Sequence, residues 1–123
     1  MVMTLGWHWI LDATGCEPAA LLDPACLERA LIELPEALGL TRVGTPQLHR
    51  HVDPHDGETL AGITLLAESH LSLHARPTAG LLHVDLFSCA RFDQAQARTF
   101  LEQLYGFTVA TEDLIERGGR DAG

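Results

Sequence analysis

Three strand-like runs follow one another between Thr59 and Phe87, and the shortness of the links between them restricts the fold more than any other feature of the chain. The runs are Thr59 to Ala67, His70 to Ala75 and Leu81 to Phe87, the last two separated only by Arg76-Pro77-Thr78-Ala79-Gly80. A parallel pair needs a crossover of a dozen residues or more, so strands joined this closely run antiparallel. Upstream, Thr41 to Val52 is β-branched or polar in rough alternation, and Asp53-Pro54-His55-Asp56-Gly57 after it has the composition of a turn. Leu5, Trp7, Trp9, Leu11 and Ala13 recur at the period of two that marks a half-buried first strand.

Two helices interrupt the strands. Asp23 before Pro24 gives an N-cap and a first-turn proline, and Leu27, Ala30, Leu31 and Leu34 then recur at helical spacing, so a helix starts near Pro24. Pro35 lacks the N–H and its ring crowds the preceding turn, which predicts a kink or restart before Gly39. From Asp93 to Tyr105, Ala97, Phe100, Leu101 and Leu104 share one helical face, with Gly106 as a stop and Phe107 to Ala110 as a last short strand. The order is β-α-β-β-β-β-α-β. It predicts an α+β two-layer sandwich, an antiparallel sheet with two helices on one face. Residues 1–115 read as a single domain, and 116–123, Gly-rich and charged, as a flexible tail.

Composition narrows the partners. At 123 residues the chain is too short for two ordinary cores. Its formal charge of −9 repels phosphate backbones and anionic headgroups, so neither nucleic acid nor a membrane surface is expected as a partner. The apolar runs are too short or too interrupted by charge to span a bilayer, and the N-terminal residues lack the pattern of a secretory signal. Cys16, Cys26 and Cys89 are an odd number without metal-type spacing, which fits a reducing cytoplasm and no disulfide framework.

Reactive residue types concentrate in two stretches. His49, His51 and His55 surround the turn, with Glu58 following; two histidines two apart on a strand face one way and invite a metal reading. The interval from His51 to Glu58 is longer than the His-x-His metal sites of jelly-roll proteins use, and no metal is expected. The second stretch is Glu68-Ser69-His70-Leu71-Ser72-Leu73-His74, followed by Asp85-Leu86-Phe87-Ser88-Cys89. Ser69, His74 and Cys89 are types used in nucleophilic and proton-transfer chemistry. With no Gly-x-Ser-x-Gly elbow, Ser-His-Asp hydrolysis is disfavoured.

At these residues the sequence resembles the small prokaryotic S-adenosylmethionine decarboxylase proenzymes. Members carry Glu-Ser-His-Leu-x-x-His after an apolar strand, then a Pro-containing hairpin, then apolar-Asp-apolar-Phe-x-Cys. The matching segments are Glu68 to His74, Pro77, and Val84 to Cys89. The resemblance extends back through His8, the first helix and the His49-Arg50 pair, and forward to about Tyr105. It implies a self-cleaving precursor cut between Glu68 and Ser69, with residue 69 becoming a pyruvoyl group, the only cofactor needed. His74 matches the base that removes the α-proton, and Cys89 the donor that returns a proton to the substrate carbon. The pyruvoyl carbonyl takes up the electrons released with CO₂, as pyridoxal phosphate does elsewhere. The resemblance further implies a homodimer of processed protomers, with sites near the subunit interface, and a role in polyamine (spermidine) synthesis.

Three positions depart from the family pattern, two of them bearing on the substrate and one on processing. The hairpin carboxylate that grips the ribose diol is replaced by Thr78, which cannot make a charged bidentate grip. The aromatic residue that stacks the adenine is replaced by His51, and the serine that assists processing, eight residues before Ser69, by Ala61. By the resemblance, Glu68, His51 and Thr78 are the substrate-binding candidates. The alternatives to adenosylmethionine are a smaller cationic amino acid, arginine or ornithine, or an unprocessed, non-catalytic homologue acting as a binding or regulatory subunit.

Overall fold

The structure, a computed structural model, describes residues 2–55 and 57–120. Six strands form one antiparallel sheet: β1 (Val2–Thr14), β2 (Arg42–Asp53), β3 (Gly57–Leu66), β4 (Ser69–Arg76), β5 (Leu81–Ser88) and β6 (Val109–Arg120). Their order across the sheet is β2-β3-β4-β5-β1-β6. The central meander β2 to β5 follows from its short links, and β1 returns to pair with β5, setting Trp9 against Leu86 and Leu11 against Val84. Alternation along the strands sends Trp9, Leu11, Ala13, Leu71, Leu73, Leu82, Val84 and Leu86 into one core.

Helices α2 (Pro24–Ala37) and α3 (Gln94–Tyr105) cover that face, with a single turn α1 (Pro18–Leu21) leading into α2. The Asp23 carboxylate accepts from the Ala25 N–H at 2.9 Å and Asp93 from the Gln96 N–H at 3.0 Å, each satisfying an orphan donor of a helix start. Leu27, Ala30, Leu31 and Leu34 of α2 and Ala97, Leu101 and Tyr105 of α3 are buried against the sheet. A Cβ at Gly62 would lie 2.5 Å from a Leu31 methyl, so this glycine lets α2 seat on β3. The α+β sandwich expected from the sequence is the fold observed.

Two expectations need correction. Residues from Glu116 do not begin a tail: β6 runs to Arg120, pairing with β1 from Val2↔Arg120 to Thr14↔Val109. Gly118, one of the glycines that suggested flexibility, serves close packing, since a Cβ on it would fall 1.5 Å from the Met3 carbonyl oxygen. Residues 121–123 of the expected tail lie outside the described residues. Pro35, expected to kink or restart the helix, is buried in the last turn of α2, which ends at Ala37. So close to the C-terminus it forfeits one hydrogen bond rather than interrupting the ladder. Among the described residues no helix is long and apolar enough to cross a membrane.

The sheet's other face carries no helix among the described residues. His8, Ile10 and Asp12 of β1, His83, Asp85 and Phe87 of β5, and His70, Ser72 and His74 of β4 point there by alternation.

Candidate active site

One end of the sheet is built by the β3-β4 turn and the end of β5, where Ser69, paired with the buried Leu66 and alternating with Leu71 and Leu73, lies toward the helix-covered side rather than with His70, Ser72 and His74. Leu66 pairs with Ser69, which leaves Ala67-Glu68 as a two-residue turn. Glu68 has φ 59°, and it is the sole non-glycine residue with positive φ among the described residues. Left-handed backbone costs an L-residue roughly 1–2 kcal/mol, so the peptide joining Glu68 to Ser69 leaves a strained residue. The pairing of His70 with Phe87 sets the start of β4 beside the end of β5. The Cys89 N–H there donates to Ser69 Oγ at 3.0 Å, and the Cys89 thiol donates to the Glu68 carbonyl at 3.0 Å. Ser88, buried next door, holds the chain after β5 by donating to the Ala90 carbonyl at 2.6 Å.

This arrangement has a chemical reading. One lone pair of the Ser69 hydroxyl is fixed by an amide, and the carbonyl next to it is polarised by a thiol. Of the three thiols, Cys89 is the exposed one. Burial pushes the Cys16 thiol up to about 11, and burial, followed by the charge of Asp23, also raises Cys26, so these two are inert packing groups. Beneath the site lies Phe87, with the His70 ring 5.9 Å away, the His8 ring edge-on at 6.3 Å and the Arg117 guanidinium 5.1 Å above it. His8 in turn meets Asp85 at 3.1 Å.

The other end of the face holds the remaining candidates. His74 pairs with Ala61 on β3 and with His83 on β5, Ala61 pairs with His49 on β2, and His83 pairs with Asp12 on β1. The result is one cross-strand row, His49, Ala61, His74, His83, Asp12. The His74 and His83 rings are 6.3 Å apart and nearly perpendicular, and His83 Nδ1 lies 2.7 Å from an Asp12 carboxylate oxygen. Partial burial, then the nearby charges of His83 and Arg76, hold His74 below the usual imidazole value. An open cavity of about 700 Å³ spreads over His49, Ser72, His74, His83 and Asp85.

His51 stacks on His49 with ring centres 6.2 Å apart, and Thr78 is exposed in the single 3-10 turn Pro77–Ala79. Thr78 lies beside Gly57, where a Cβ would come within 3.0 Å of its hydroxyl. Glu58, the carboxylate of the metal reading, is engaged by Arg50 at 2.7 Å, and no group of three or more potential ligands is placed to hold a metal among the described residues.

The predicted residues thus fall into two groups. Glu68, Ser69 and Cys89 meet at one end, while His51, His74 and Thr78 lie toward the other. Ser69 and His74 are five steps apart on β4, about 16 Å at the rise of a strand, so one chain does not bring them into contact. His83 and Asp12 carry no motif in the sequence that marks them as partners. The β4-β5 register sets His83 beside His74, and only the position of β1 beside β5 brings Asp12 to His83 and His8 to Asp85.

Comparison with known proteins agrees with this architecture. The sequence model of the family described as S-adenosylmethionine decarboxylase matches residues 7–118. An S-adenosylmethionine decarboxylase proenzyme of Pyrococcus furiosus is 24% identical over 117 residues, 94% of this chain and 80% of that relative. One from Methanococcus vannielii is 38% identical over 85 residues, 69% of this chain and 66% of the relative, just under two thirds of its length. The crystal structure of the adenosylmethionine decarboxylase of Aquifex aeolicus superimposes with a TM-score of 0.76 at 23% identity, covering 98% of this chain and 96% of that one, which shows a common fold. With a family match across nearly the whole sheet and both long helices, the chain belongs to the S-adenosylmethionine decarboxylase family.

Proposed function

We propose that the chain is a cytoplasmic, self-processing, pyruvoyl-dependent decarboxylase acting on S-adenosylmethionine in polyamine synthesis. The observation that carries the reading is the pair of 3.0 Å hydrogen bonds from Cys89 to Ser69 Oγ and to the Glu68 carbonyl. Ser69 Oγ adds to the Glu68 carbonyl carbon, the amide nitrogen of residue 69 departs and takes a proton, and an ester results. Relief of the left-handed Glu68 backbone favours this shift. A base then removes the Cα proton of residue 69, the electron pair forms Cα=Cβ, and the Cβ–O bond breaks to release the Glu68 carboxylate. Tautomerisation, addition of water and loss of ammonia leave a pyruvoyl group on the second piece. Only a residue with a β-oxygen can form that ester and then lose it.

Once made, the pyruvoyl carbonyl supplies the electron sink for loss of CO₂. Around it, Cys89, an exposed thiol, returns a proton to the substrate carbon. Glu68, ending the first piece with two carboxylates, favours a cationic substrate. His51 and Thr78 take the substrate's far end.

In this reading His74 is the processing base, and about 16 Å along β4 separates it from Ser69 of its own chain. A homodimer resolves the separation. Two open faces stacked across a two-fold axis perpendicular to the strands set the Ser69 end of one protomer over the His74 end of its partner. Ile63 and Leu65, 41% and 59% exposed on that face, would gain cover.

Thr78 favours a second reading within the same chemistry, decarboxylation of arginine or ornithine, because no carboxylate stands at that position to grip a diol. Intact-mass spectrometry should show pieces of residues 1–68 and 69–123, the latter with a pyruvoyl head. CO₂ release from carboxyl-labelled adenosylmethionine, arginine and ornithine then identifies the substrate, with adenosylmethionine expected. A single full-length species after long incubation would instead support the non-catalytic homologue that Ala61 suggests.

A further inference from the structure

Beside the candidate base lies a pair of residues that the proposed chemistry does not use. His74 has a methyl group on one side, Ala61 of β3, which neither donates nor accepts a hydrogen bond. On its other side is His83 of β5, ring to ring at 6.3 Å and 81°. His83 is itself fixed, because Asp12 of β1 lies 2.7 Å from its Nδ1, so that nitrogen carries the proton and donates. Among the described residues His74 has no hydrogen-bond partner of its own, which makes His83 its nearest oriented polar neighbour.

We propose that His83, held by Asp12, is a positioning residue for His74, fixing its ring from the β5 side while Ala61 on the β3 side offers it no hydrogen bond. The inference rests on the reading of His74 as the processing base. Three features support it together: the shared row across β4, β5 and β1, the perpendicular rings, and the short Asp12 contact. A cation beside His74 opposes protonation there. The other charged groups around His74 are Arg76 on its own strand, Asp85 with its partner His8 toward the middle of the face, and His49 beyond Ala61. Arg76 acts in the same direction as His83. Asp85 is itself paired with His8 at 3.1 Å.

The test is a time course of self-cleavage of newly translated full-length precursor, followed by intact mass from pH 5 to pH 8.5. Wild type is compared with His83→Ala, Asp12→Asn, Ala61→Ser and the double variant Ala61→Ser with His83→Ala. Thermal melting of each checks folding, which the half-exposed His83 does not support. His83→Ala is expected to slow cleavage about 10- to 100-fold. It should also move the acid limb of the profile to higher pH, because His74 without its cationic neighbour is protonated more easily. Asp12→Asn should do the same to a smaller extent, and the double variant should recover part of the rate. Cleavage of His83→Ala at the wild-type rate with an unmoved limb would overturn the inference. So would a uniform slowing that leaves the limb in place and is not rescued by Ala61→Ser, since that is a merely structural effect. A wild-type chain that never cleaves would overturn the processing reading itself and this inference with it.

Discussion

The two ends of the sheet differ in what holds their reactive groups. At the Ser69 end the backbone does the work: a tight turn, a left-handed residue, and an N–H and a thiol from the chain leaving β5. At the His74 end the groups stand on regular strands and are related only by cross-strand register. A turn can place a hydroxyl against its own carbonyl, which suits a reaction of the chain upon itself. A row of side chains on a flat face suits contact with something laid over it. The comparison explains why one short chain carries both halves and joins neither to the other.

The largest effect tests the backbone end. Ser69→Ala removes the β-oxygen, so cleavage and CO₂ release should vanish, leaving one 13.4 kDa species by mass. His74→Ala should slow cleavage by about 10²- to 10⁴-fold in a folded protein. Mixing Ser69→Ala with His74→Ala protomers sharpens the contrast between the ends. The His74→Ala chain should then be cut with help from the intact His74 of its partner, whereas no cleavage in the mixture would show that both ends must act within one chain. With His74 intact, the neutral imidazole accepts the proton and its titration lies below the ordinary 6.5, so the cleavage rate should hold to about pH 6.5 and fall only below it.

Smaller effects follow. Thr78→Glu restores a carboxylate to the His74 end and should lower KM for adenosylmethionine about tenfold, with little change for arginine or ornithine. Smallest is Glu68→Gly in the Ser69→Ala background, where removing the Cβ at φ 59° should stabilise the precursor by about 1 kcal/mol, seen as a higher melting midpoint. No stabilisation there would break the claim that the reacting end is strained and the other relaxed.

Much of this fold is legible from local pattern. Short links dictate the antiparallel meander, and Asp23 and Asp93 announce the helix starts. β6 was the failure, because Gly118 and Gly119 look like flexibility when read one residue at a time. The purpose of Gly118 appears only against β1, where it faces the Met3 carbonyl. The Ser69 group was legible because its members depend on a local motif, with Cys89 one hairpin away. The partnership of His83 with Asp12 was not, since 71 residues separate them and nothing short of the pairing of β1 with β5 brings them together.

The strand order has a consequence for a chain cut after Glu68. The first piece then owns β1, β2 and β3, and the second owns β4, β5 and β6. Across the sheet they alternate as first, first, second, second, first, second. Three seams join one piece to the other, β3 to β4, β5 to β1 and β1 to β6, and the strand β1 is clasped on both edges by its former continuation. Maturation would thus sever one peptide bond while leaving two polypeptides braided through a single sheet, able to part only by global unfolding.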